Sequence, residues 1–161
     1  MSNDKYLNIY LNDHLAGAIA AYELAKRSLS SNRGTSFGEY LETFITELES
    51  DRASLEEVME MVSAPKDRLK PVAGWLAEKV GRLKLNGQIR GHSPLSRVIE
   101  FEGLRAGVEA KLCLWNSLRE LSLTDGRLVM DFDRLIERAA DQQLELEKHR
   151  IEAARIAFEG F

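Results

Sequence analysis

Apolar residues recur at three- and four-residue spacing along most of the chain, and no stretch bounded by turn residues alternates with the two-residue period of a strand. The spacing predicts five helices and an all-α fold. The first spans about Asp4 to Leu29 and ends where Asn32 and Gly34 can terminate a helix. A second opens at Thr35 or Ser36, with Glu39 at capping-box spacing from Ser36, and stops before Pro65. A third, short helix covers about Asp67 to Leu85, with Pro71 tolerated in its first turn. After the loop Asn86 to His92, Ser93 caps a fourth helix that carries Pro94 at its first position and runs to about Leu121. Thr124-Asp125-Gly126 breaks the chain before a last helix, about Leu128 to Phe158.

Placing residues at 100° intervals separates the faces. In the first helix Leu7, Leu11, Ala18, Ala21 and Ala25 surround His14, which therefore points inward, while Glu23 points away. The second helix buries Phe37, Leu41, Phe44, Leu48, Leu55 and Met59 around Asp51, with Glu47 at the edge of that face and Glu49 outside it. In the fourth, Phe101, Leu104, Val108, Leu112, Trp115 and Leu118 share a face with Glu100 and Lys111. Its back is apolar too, through Leu95, Val98, Ile99, Ala106, Ala110 and Cys113, which the third helix could cover and where Cys113 reads as a packing residue. The last helix carries the stripe Leu128, Phe132, Leu135, Ala139, Leu146, Ala153 and Ala157, with Gln142 inside it and Arg138, His149 and Arg150 beside it.

His14, Asp51, Glu100, Lys111 and Gln142 thus lie on otherwise apolar faces. Burying such groups costs several kcal/mol unless they satisfy one another or a ligand, so the expectation is one shared buried polar network. Carboxylates and histidines converging from four helices are also the ingredients of carboxylate-bridged di-metal bundles. In its long helices and mid-helix polar positions the chain resembles the ferritin-like superfamily at the level of architecture. That resemblance implies an up-down four-helix bundle, here with one additional short helix. Its di-metal Glu-x-x-His pair is absent: Glu49 has Arg52 in the histidine place, and Glu145 to His149 is one residue too long. The inward set instead opposes Asp51 and Glu100 with Lys111 and Arg138 or Arg150, and a cationic side chain can replace a metal as counter-ion. The favoured reading has no cofactor. Under the alternative, iron, manganese or zinc would be held by His14, Glu47, Asp51, Glu100 or His149 in a metal-dependent oxidoreductase or metal-binding protein.

Composition narrows the picture further. With 161 residues, 44% hydrophobic and 30% charged, the chain suits a single domain, 1–161, and its one cysteine excludes an internal disulfide. Neither a signal-peptide pattern nor a long apolar run appears, so the expectation is a cytoplasmic protein with no membrane partner. The net charge of −4 conceals a basic stretch from Lys66 to Arg97, where eight Lys or Arg face only Asp67 and Glu78. Within it Arg90, His92 and Arg97 flank a helix start and form a candidate site for an anion or phosphometabolite. Nucleic acid is disfavoured, because Trp75 is the one aromatic of that stretch and the chain as a whole is acidic. No activated nucleophile accompanies His14. The leading expectation is a non-catalytic scaffold or interaction protein that self-associates as a homo-oligomer, most simply a dimer, through the two-sided fourth helix and a secondary stripe of Ile9, Ala16, Ile19 and Ala20.

Overall fold

The computed structural model describes residues 2–66 and 92–159, and these form four helices: α1 (Ser2–Asn32), α2 (Ser36–Met61), α3 (Pro94–Ser122) and α4 (Phe132–Glu159). The expected short helix at 67–85, with Trp75, lies outside the described residues, as does Arg90. No strand occurs among the described residues, in accord with the all-α expectation.

Local chemistry sets most of the helix ends. Gly34, at φ +74°, reverses the chain after α1, and the Thr35 hydroxyl then caps α2 by accepting the Gly38 N–H at 3.2 Å. Thr35 and not Ser36 is the cap, so Glu39 falls one place beyond the capping-box position. At the other end of α2, Ser63 takes a left-handed φ of 55° while Ala64 N–H donates to Met59 and Ser63 N–H to Glu60. That is a Schellman closure with serine where glycine is usual. Ser93 caps α3 by accepting from Ser96 N–H at 3.1 Å, ahead of Pro94. The last helix begins four residues later than the apolar stripe suggests. Turn bonds occupy Leu128 and Val129, and Asp131 accepts the Arg134 N–H at 3.0 Å, so the helix opens at Phe132 although Leu128 is still buried.

Cross-helix contacts fix the topology. Ser28 meets Glu100 while Tyr10 meets Ser117, so α1 and α3 run antiparallel. Tyr22 with Glu49 pairs α1 with α2, and Arg119 with Asp133 and Arg150 with Glu102 pair α3 with α4. The fourth side of the square, α2 against α4, is the most loosely packed. It is also antiparallel, since Asp51 meets Arg138 and Tyr40 meets His149. In chain order the helices therefore run up, down, down, up, with α2 and α3 parallel on one diagonal. Strict up-down alternation breaks between α2 and α3 for a simple reason. Short turns force antiparallel neighbours, whereas residues 67–91 could extend roughly 80 Å, well beyond the ~46 Å of the longest helix.

The inward faces fill a continuous core around Trp115, Phe44 and Phe101. The back of α3 departs from expectation. Val98 is buried, but Leu95, Ala106, Ala110 and Cys113 are exposed, so Cys113 is a surface thiol and not a packing residue. A helical wheel assigns direction only. Whether a second face is covered depends on elements elsewhere in the chain.

Candidate functional site

Three helices bring one tight polar cluster to the middle of the bundle. Asp51 of α2 is 4% exposed and holds two cations, Lys111 of α3 through Oδ2 at 2.5 Å and Arg138 of α4 through Oδ1. Gln142 ties the set together. Its Oε1 accepts from Lys111, and its Nε2 donates to Glu47 at 2.8 Å and to Asp51 at 3.3 Å. Arg138 also donates to Ser50 at 3.2 Å. Two cations thus face two carboxylates with a neutral amide between them. Burial pulls the Lys111 ammonium below its usual range, and the charge of Asp51 works against that shift.

Glu100 does not join this cluster. It lies eleven residues before Lys111, about three turns or ~16 Å along α3. There it accepts from the Ser28 hydroxyl at 2.8 Å and bonds His92 Nε2 at 3.0 Å. Asn32 extends this second network, donating to the Ser28 carbonyl and accepting from Arg97 Nε at 2.6 Å, while the Arg97 guanidinium also lies 4.5 Å from the Phe37 ring. The two described members of the candidate anion site, His92 and Arg97, are thus engaged by protein groups. Ser28 and Asn32 carry a signal in the sequence: on the α1 wheel they fall about 40° and 0° from His14, on the same inward face.

His149 is placed apart from both networks. Its ring is 4.3 Å from Tyr40, with Phe37 and Phe101 also close, and neither its Nδ1 nor the Tyr40 hydroxyl has a hydrogen-bond partner among the described residues. Burial raises the Tyr40 hydroxyl and holds the His149 imidazole below its ordinary 6.5, against the opposing pull of Glu152 and Glu145. His14 is shifted the same way by burial, partly offset by Asp13. As pH falls below about 6.5 the unfolded chain therefore binds protons before the folded one does. Stability should be complete above that pH and decline below it, with up to about 1.4 kcal/mol of slope per pH unit from each histidine. Urea unfolding followed across this range should give a flatter profile for His149→Phe; an unchanged slope would remove His149 from the account.

The five residues weighed as metal ligands are thus dispersed. Glu47 and Asp51 share Gln142 and His14 borders the same cavity as Asp51, but Glu100 and His149 belong to other regions, and among the described residues no three His, Cys, Asp or Glu are grouped to hold an ion. The donor chemistry is also unsuited to a cation, because both oxygens of Asp51 already face positive charge.

His14 borders a cavity of about 350 Å³ between α1, α2 and α3, with Tyr10 packed edge-on to it at 4.5 Å. Asp51 and Lys111 contribute to the wall, so the central network is reached from this space. Asp13 and Arg52 also line it, and the rest is apolar, chiefly Leu48, Leu55, Val108, Leu114 and Trp115. A second, polar cavity of about 260 Å³ lies between α2 and α4, beside Glu47, Arg138 and Gln142. No family model matches the chain, and no curated protein or solved structure matches it significantly.

Proposed function

We propose that this protein is a non-catalytic helical scaffold or interaction protein of ferritin-like architecture, in which an internal ion network stands where a di-metal centre would be. The observation that carries the reading is the double engagement of Asp51 by Lys111 and Arg138. A metal entering there would have to displace two cations already neutralised by the protein. The up-down-down-up order with one long connection also suits a ferritin-like bundle. A cytoplasmic setting belongs to the same reading; no described helix is long and apolar enough to cross a membrane.

Elemental analysis after exposure to iron(II), manganese and zinc tests the reading. Substoichiometric metal, unaffected by Asp51→Ala, is expected. Stoichiometric metal lost in that variant would instead favour a metal-binding protein with its site at Asp51, where Glu47 shares Gln142. Self-association is supported by exposed apolar side chains at seven-residue spacing on α4, Leu144, Ile151 and Phe158, and by Ile9 and Leu95 elsewhere. Sedimentation velocity at micromolar concentration should show a dimer, and a clean monomer would remove that part of the proposal.

A further inference from the structure

Leu144, Ile151 and Phe158 of α4 are 64%, 46% and 64% exposed, and they recur at seven-residue spacing. On the helical wheel they fall within about 40° of one another and about 140° from the buried stripe of Leu135, Ala139, Gln142, Leu146 and Ala153. They therefore form a narrow apolar ridge along the outside of the bundle. A seam with this spacing is the kind that a partner helix buries.

The charges interleaved with the ridge select the partner. Glu147 lies four residues before Ile151 and Arg155 four residues after it, each about 40° to one side of it on the wheel. The series Leu144, Glu147, Ile151, Arg155, Phe158 thus reads the same when reversed, except that acid and base exchange places. Two copies of α4 laid antiparallel, with a two-fold axis at Ile151, bring Leu144 to the height of Phe158 of the other copy, ~10 Å from the axis. Glu147 of each copy then lies at the height of Arg155 of the other, ~6 Å from the axis. In a parallel, in-register pair Glu147 would instead face Glu147 and Arg155 would face Arg155, so like charges would oppose that arrangement. Both residues are accessible within one chain: Glu147 is 38% exposed while it holds Arg150 and Arg105, and Arg155 is 69% exposed with Glu159 3.6 Å away. We propose that a second copy of this chain docks on the outward face of α4, antiparallel and two-fold symmetric about Ile151. The proposal rests on the self-association in the scaffold reading and names the surface that carries it.

Sedimentation velocity of the full chain from about 1 to 100 µM should show a monomer–dimer equilibrium. Ile151→Glu, which sets two like charges together at the axis, should give a monomer throughout. Because Ile151 is exposed in the single chain, the variant should keep the parent's helical circular dichroism. Arg155→Glu should raise the Kd about tenfold by replacing both ion pairs with like charges, and Arg155→Lys should leave it within about twofold. Disulfide capture reads the orientation, in a Cys113→Ser background because Cys113 is itself exposed. With oxidised glutathione, Leu144→Cys and Phe158→Cys should each fail to crosslink alone and give a covalent dimer when mixed. Crosslinking of either variant with itself, no covalent dimer in the mixture, or a dimer that survives Ile151→Glu overturns the proposal and leaves self-association through another face. A monomer at every concentration overturns both.

Discussion

Asp51→Ala is expected to lower the stability of the fold by about 3–5 kcal/mol, the cost of leaving buried partners without their counter-charge. For a chain of this length that corresponds to a fall in Tm on the order of 10 °C. The reason lies in what remains. Lys111 and Arg138 would keep their charges at 13% and 21% side-chain exposure with Asp51 gone, and Gln142 would lose one of its acceptors. Removing the opposing charge together with the anion should behave differently. Asp51→Leu combined with Lys111→Met leaves Arg138, the more exposed cation, to turn toward solvent, and should recover a large part of the loss, since replacing a buried ion pair by apolar groups of similar volume is often neutral. Urea unfolding of Asp51→Leu, Lys111→Met and the double variant gives the coupling between the two residues directly. A cost below about 1 kcal/mol for Asp51→Ala, the level of a surface ion pair, would mean that the cluster is effectively solvated.

Gly38→Ala should be the next most damaging change, at about 3 kcal/mol, the upper part of the range for overpacking. An added methyl would lie 2.4 Å from the Asn32 carbonyl oxygen and 3.1 Å from its carbon, so the obstacle is backbone and cannot rotate aside. That carbonyl already accepts from both the N–H and the hydroxyl of Thr35, at 3.2 and 2.7 Å. Displacing it would disturb the α1–α2 turn, and with it the Asn32 side chain that holds Arg97 beside the Glu100 network. Gly17→Ala serves as the contrast, because the same substitution in open helical space should stabilise by about 1 kcal/mol. Opposite signs for the two glycines in one denaturation series are the expected result. A loss at both positions would show that the space beside Gly17 is occupied.

Much of the α-helical framework was legible because periodicity and caps are local. Ser93-Pro94 opens α3 as the capping rules require, and the inward stripe of α2, from Phe37 to Met59, is buried with Asp51 at its centre. The start of α4 was less legible: Leu128 fits the apolar stripe, yet it is buried from a turn. The close approach at Gly38 has no local signature at all, since only the neighbouring helix end makes a side chain there impossible.

The sequence by itself determined which residues turn inward, because a helix of 3.6 residues per turn converts spacing into direction. His14, Asp51, Glu100, Lys111 and Gln142 could all be assigned that way, and so could Ser28 and Asn32. Only the tertiary structure decided which of them meet, because direction around a helix carries no information about height along the bundle. Turn geometry and core packing set how far each helix slides past its neighbours. That sliding brings Lys111 to Asp51 and Gln142, carries Glu100 about three turns away to Ser28 and His92, and leaves His14 beside an apolar cavity.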